Sequence, residues 1–223
     1  MKLIILDFDG TLADTRDLIV ITMQQTIQEL GLESRTDEQC ASMIGLPLKQ
    51  AFTDLIPMTD ARGDLCIDTY RRIFNENNAA YTIPTFPNVF ETLRLLSQKG
   101  YTLTIASSRS HRSLMEFVEG MDLQEVLSYV LGAEDVSKAK PNPEPVLKTL
   151  EKFGCTPDEA LVVGDTWYDI EMGRRAGVRT CGVTYGNGTR EELMNAGADF
   201  LIDDFEELKS IIHCTHCTDI VNH

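Results

Sequence analysis

The chain opens on KLIILDFDGT, a short unbroken apolar run over residues 2–6 that ends on two aspartates, Asp7 and Asp9, and then a Gly-Thr pair. An apolar run without polar alternation predicts a strand buried on both faces. Such a strand has to lie inside a sheet covered on both sides, and the order of the remaining segments says by what.

From residue 86 to the end, strand and helix patterns alternate. NVFETLRLLSQKG reads as a helix stopped by Gly100, YTLTIASS as a strand, HRSLMEFVEGM as a helix and SYVLG as a strand. PEPVLKTLEKFG, EALVVGD, DIEMGRRAG, RTCGVTYG, REELMNAG and DFLID continue helix, strand, helix, strand, helix, strand. That rhythm predicts a parallel α/β sheet with helices on both faces, to which the first strand also belongs. Between residues 17 and 30, Ile19, Val20, Met23, Ile27 and Leu30 recur at helical spacing before Gly31, and residues 36–80 carry helical patterns with little strand signal. IPTFPNV, with two prolines, breaks the pattern. The helical block 16–82 is therefore an insertion after the first strand, dividing a core of 1–15 and 83–213; residues 214–223 read as a flexible tail. A length of 223 residues suits one core with a smaller inserted domain.

A net charge of −15 argues against nucleic acid or an anionic membrane as a partner. No run reaches the length of a membrane span and no signal peptide is visible, so the expected setting is the cytoplasm. The six cysteines fit free thiols in a reducing compartment. Cys214 and Cys217 with His213, His216 and His223 form one short cluster without the second half a zinc site needs.

In open α/β sheets, ligands collect at the carboxyl ends of strands. Four motifs fall at such ends: Asp7 and Asp9 in DFDGT, Ser107 and Ser108 in TIASSRS, Lys140 in KAKPNPEP, and Asp165 with Asp169 in VVGDTWYD. Singly, Asp165 would serve as a helix cap, Ser107 as the start of a turn and Lys140 as a surface charge. Together they bring carboxylates, a hydroxyl and an ammonium to one sheet edge. Carboxylates that close repel one another, and a divalent cation with oxygen ligands, Mg²⁺, relieves this. The chemistry these groups suit is phosphoryl transfer. Asp7 attacks phosphorus, while Ser107, Lys140 and backbone amides neutralise its oxygens. Asp9, if less neutralised than Asp7, carries the proton. Gly10 and Thr11 let the backbone turn and offer amide hydrogens to the anion.

On DFDGT, TIASS, KPNP and GDTWYD, in that order and spacing, the chain resembles the haloacid dehalogenase superfamily of phosphohydrolases along nearly its whole length. The resemblance implies a Rossmann-like core with a helical cap, Asp7 as nucleophile and Asp9 as acid/base. It further implies Mg²⁺ held by Asp7, the Asp9 carbonyl and Asp165. Asp169 would support the metal or Lys140 from behind, and Ser107, Ser108 and Lys140 would hold the phosphoryl group. Dehalogenase members lack the second aspartate of the first motif, which is present here as Asp9.

Within the family, DTRDLI, IGLPL and YGNGTREEL with AGADFLID are most similar to the phosphoglycolate phosphatase group. That implies hydrolysis of a small phosphorylated metabolite by a monomer or homodimer. Relatives that cleave carbon–phosphorus bonds use a cap lysine, and the sole lysine of 16–82, Lys49, matches no such pattern. Sugar-phosphate mutases carry a histidine in the first cap helix, and 15–30 has none. Pyrophosphatase-like relatives stay open. A non-enzymatic phospho-acceptor, like a response-regulator receiver, would lack both the insertion and the second aspartate. Selectivity is expected from the cap, hinged near residue 15 and residues 83–86: Gly45, Leu46 and Pro47 of IGLPL face the core, and Arg16 and Arg109 are the cations for a substrate anion.

Overall fold

The computed structural model describes residues 1–80 and 83–214. Its strands are β1 Leu3–Leu6, β2 Thr102–Ala106, β3 Leu127–Leu131, β4 Ala160–Gly164, β5 Arg179–Val183 and β6 Phe200–Ile202. They form one parallel sheet in the order β3-β2-β1-β4-β5-β6. The expected α/β architecture is borne out, with β1 at the centre.

The apolar run of β1 is used on both faces with a period of two. Ile4 and Leu6 belong to one apolar cluster, Leu3 and Ile5 to the other, and Leu161 and Val163 of β4 separate from Ala160 and Val162 in the same way. Helices α5 Val89–Gln98, α6 His111–Gly120 and α10 Leu208–Cys214 close the first cluster; α7 Glu144–Phe153 and α8 Trp167–Arg175 close the second. The remaining core helix, α9 Arg190–Asn195, follows β5. Leu6 of β1 stands level with Ile105 of β2 and Val163 of β4, so the residues that follow these strands emerge at one edge. There the strand order reverses, which is where open α/β sheets place their ligands.

Four helices interrupt the sheet after β1: α1 Arg16–Glu29, α2 Asp37–Ala41, α3 Leu48–Leu55 and α4 Asp60–Ala80. They share an apolar cluster of their own, including Met23, Ile27, Phe52, Cys66, Tyr70 and Phe74. Entry and exit run side by side. Ala13 bridges Thr85, the Asp14 N–H donates to Pro84 O at 2.9 Å, and the Phe86 N–H donates to Leu12 O at 3.1 Å. A two-stranded link is a narrow attachment for a body with a separate core.

Cys40, Cys66, Cys155 and Cys181 are free thiols. No helix among the described residues is long and apolar enough to cross a membrane. From residue 215 on, the C-terminal Cys/His cluster lies outside the described residues.

Candidate active site

Asp7, Ser107 and Asp165 each stand one residue beyond the end of a strand, on the central trio β1, β2 and β4. Lys140 comes from the loop after β3 and is buried. Its Nζ lies 2.6 Å from Asp169 Oδ1, as a hydrogen bond, and 2.7 Å from Asp7 Oδ1 as an ion pair. The angle at Asp7 is not that of a hydrogen bond, so Asp7 Oδ1 has no hydrogen-bond partner although it is buried.

Asp169 sits in the first turn of α8, and its second oxygen accepts from the Thr166 N–H at 3.1 Å and the Thr166 hydroxyl at 2.7 Å. One carboxylate thus caps a helix and anchors the lysine. Asp165 is no cap. Its Oδ1 accepts from the Thr11 hydroxyl at 3.1 Å; its Oδ2 accepts from the Asn187 N–H at 2.7 Å and Nδ2 at 2.9 Å. Gly10 explains how the first loop fits against it: φ is +82°, and a Cβ there would lie 2.1 Å from Asp165 Oδ2.

Oxygens of Asp7, Asp165 and Asp169 lie within 4.8 Å of one another. Two carboxylates at such a distance repel by about 3 kcal/mol at an effective dielectric near 20, and one ammonium serves three of them. Burial pushes the Asp7 carboxyl well above the usual carboxylate range; Asp169 and Asp165 add to this and Lys140 opposes it. Burial, then Asp169, raises Asp165 from 3.8 to about 7 against the Asn187 hydrogen bonds and Lys140. Burial works against the Lys140 charge, but Asp169 and Asp7 outweigh it and hold the ammonium above its ordinary range. Hard oxygen donors and buried negative charge in excess of the one ammonium fit a small divalent cation. Asp169 is tied to the Lys140 ammonium and to Thr166, whereas Asp165 meets only the neutral donors Thr11 and Asn187, so Asp7 and Asp165 are the carboxylates better placed to hold it.

This cluster has a pH signature. An acid whose pKa is higher in the folded state binds an extra proton there, so its stabilising effect is complete below the unfolded value of 3.8 and is lost as pH rises towards about 7. Metal-free protein is expected to melt lower at about pH 7.5 than at about pH 5, and saturating divalent cation to remove the difference. A metal-free melting temperature that is flat or rising over that range would contradict the charge excess.

Asp9 has a different environment. The Arg109 guanidinium forks onto it, with Nε 3.1 Å from both oxygens and Nη2 2.5 Å from Oδ1, and the Thr15 hydroxyl donates to Oδ1 at 2.7 Å. Thr15 precedes α1 but makes no side-chain cap; its hydroxyl is used on Asp9. Arg109 Nη1 also donates to Ser113 Oγ at 3.1 Å, and its guanidinium faces the rings of Phe8, Phe74 and Phe117 at 4.9–5.7 Å. The condition set for Asp9, that it be less neutralised than Asp7, is not met in this arrangement: it carries a two-pronged pair at a site where the Arg109 side chain is 7% exposed. The loop after β2 reaches across to it, a contact with no signature in local sequence.

A second correction concerns the first loop. The Gly10 N–H donates to Ala13 O at 2.9 Å and the Thr11 N–H to Phe8 O at 3.3 Å, because the turn closes on itself. Both amides are therefore engaged within the turn. Gly10 contributes room and Thr11 its hydroxyl on Asp165, while the Tyr185 hydroxyl holds the Thr11 carbonyl at 2.9 Å.

A cavity of about 320 Å³ lies over Asp7 and Asp9. Ser107, Ser108, Arg109, Gly45, Leu46 and Pro47 all line it. The Ser108 hydroxyl donates to Gly45 O at 2.7 Å, joining core to insertion. Arg16 begins α1, half-buried, and is not on that lining. The sequence alone does not single out Asn187 or Thr166: Thr166 adjoins Asp165 in GDTWYD, and Asn187 lies in YGNGT, where no site residue is expected.

Residues 4–183 match the family described as haloacid dehalogenase-like hydrolase. The chain is 32% identical over 212 residues to the pyrophosphatase PpaX of Anoxybacillus flavithermus, covering 95% of this chain and 97% of that one. It is 33% identical over 186 residues to a phosphoglycolate phosphatase of Aquifex aeolicus, covering 83% and 86%. A crystal structure described as a "predicted phosphoglycolate phosphatase" from Haemophilus somnus 129pt superposes with a TM-score of 0.85 at 25% identity, covering 95% of this chain and 98% of that one.

Proposed function

The chain belongs to the haloacid dehalogenase-like hydrolases, and from that premise we propose that it is a Mg²⁺-dependent phosphatase of a small phosphate monoester, acting through a phosphorylated Asp7. The observation that carries this is the Asp7 carboxylate itself. It lies at a strand end beneath a cavity, against the Lys140 ammonium, with a second aspartate two residues on.

Asp7 and Asp165, with the Asp9 carbonyl implied by the family resemblance, would hold the cation. When bound, it supplies positive charge to the phosphoryl oxygens and lowers the proton affinity of Asp7. Lys140 and the Ser107 hydroxyl bind the phosphoryl group. Asp7 Oδ forms a bond to phosphorus as the bond to the leaving oxygen breaks, and Asp9 gives that oxygen its proton. Asp9 then takes a proton from water as the water attacks phosphorus, and the bond from Asp7 to phosphorus breaks. Arg109 holds Asp9 in place between the two events, and an arriving substrate has to loosen that pair. The helical insertion, 16–82, acts as a cap whose Gly45 carbonyl docks on Ser108 and keeps bulk water from the intermediate.

Phosphoglycolate and pyrophosphate, the substrates in the names of the relatives above, are the first to be tested. Phosphate release from a phosphomonoester panel is expected to need Mg²⁺, to stop in excess EDTA and to return when Mg²⁺ is restored. Full activity in excess EDTA would overturn the metal assignment, and no release from any ester would overturn the phosphatase.

A further inference from the structure

The loop after β5 carries YGNG at residues 185–188 and is built around Asp165. The Asn187 N–H and the Asn187 side chain both donate to Asp165 Oδ2, at 2.7 and 2.9 Å. The glycines on either side let the backbone come this close. A Cβ at Gly186 would lie 2.3 Å from the Asp165 Cβ and 2.6 Å from Oδ2. A Cβ at Gly188 would lie 2.3 Å from the Asp165 carbonyl oxygen, to which the Gly188 N–H donates at 3.2 Å. Tyr185 fastens the same loop elsewhere: its hydroxyl donates to Thr11 O at 2.9 Å, and its ring packs on Phe86 at 4.6 Å between centroids.

This leaves the two oxygens of Asp165 unequal. Oδ2 carries both Asn187 donors and has the Gly10 backbone pressed against it, where a Cβ would lie 2.1 Å away. Oδ1 carries a single hydroxyl, that of Thr11, at 3.1 Å. One donor is enough to satisfy a buried oxygen. Two on the same oxygen, delivered by a loop relieved by glycine on both sides, also fix the plane of the carboxylate. Held in this way, Asp165 has one oxygen to offer a cation and not two. Mg²⁺ and Ca²⁺ differ on that point. Mg²⁺ demands near-octahedral positions at short range, whereas Ca²⁺ takes more oxygens and accepts both from one carboxylate.

We infer that Asn187 is a positioning residue that confines Asp165 to binding through Oδ1 alone, and so makes the site select Mg²⁺ over Ca²⁺. The inference rests on the assignment of Asp7 and Asp165 to the metal made above, and adds to it the group that decides which metal.

The test is the melting temperature of the metal-free full chain, titrated without substrate with Mg²⁺ and separately with Ca²⁺, which gives a dissociation constant for each. The wild type is expected to bind Mg²⁺ the more tightly. Asn187→Ala keeps the backbone donor on Oδ2 and loses the side-chain donor. It is expected to bind Mg²⁺ about tenfold more weakly with Ca²⁺ little changed, so that the preference falls by about fivefold or more. Should that variant not fold, Asn187→Ser is read in the same way. Tyr185→Phe loses the bond to Thr11 but keeps both Asn187 donors, and is expected to keep the wild-type preference. A wild type that binds Ca²⁺ the more tightly, a smaller fall at residue 187, or an equal fall in Tyr185→Phe would overturn the inference and leave the phosphatase standing. Failure of both ions to bind the wild type would remove the metal assignment with it.

Discussion

Asp7→Asn is expected to lower turnover by about 10⁴-fold or more while raising the melting temperature of the metal-free protein. The two effects have one origin. The Asp7 carboxylate, the proposed nucleophile, is buried among like charges, and an amide of the same shape has neither the nucleophilicity nor the charge. Burial and Asp169 push the Asp7 carboxyl up. An acid raised in the folded state weakens the fold at neutral pH, where it has to ionise or hold a proton against solution. Asparagine removes that cost, and Lys140 keeps Asp169 as a partner at 2.6 Å. Phosphate release and thermal melts in EDTA check both halves. Activity within tenfold of wild type, or a fall in melting temperature, would count against Asp7 as a strained nucleophile.

Lys140→Met is expected to do the reverse to stability. Methionine fills similar volume but takes away the ammonium that pairs with Asp7 and Asp169. Leaving buried carboxylates unpaired costs about 3–5 kcal/mol, and turnover falls with the loss of a phosphoryl ligand. Acid offsets part of the damage, because protonated carboxyls no longer repel. Denaturant unfolding at about pH 7 and about pH 5 is expected to show a large deficit at the first and a smaller one at the second. A change of less than about 1 kcal/mol at neutral pH would mean that Lys140 is not what holds the cluster together.

The sheet was legible because its period survives in the sequence: β1 and β4 are apolar on both faces, and a helical pattern separates each pair of strands. Strand ends then located Asp7, Ser107 and Asp165 without any knowledge of side-chain contacts. What sequence could not show are pairings across long separations. Arg109 meets Asp9 across 100 positions, and Asn187 meets Asp165 across 22. Nor does a turn signal at Gly10 and Thr11 say which amides the turn itself uses; that depends on Ala13 and Phe8 carbonyls folding back. Thr15 shows the same limit. It stands immediately before α1, yet its hydroxyl is drawn to a carboxylate and not to the helix.

The proposed covalent step on Asp7 can be tested directly. Asp9→Asn supplied with Mg²⁺ and an aryl phosphate, whose leaving group needs no proton, keeps the first step and slows the second, so the acyl phosphate accumulates. Borohydride quenching converts a phosphorylated aspartate to homoserine, which peptide mass spectrometry locates. Homoserine at residue 7, dependent on substrate and absent in Asp7→Asn, is the expected result. Stoichiometric release of the aryl alcohol with no reduced aspartate at residue 7, or with the adduct on another side chain, would contradict it.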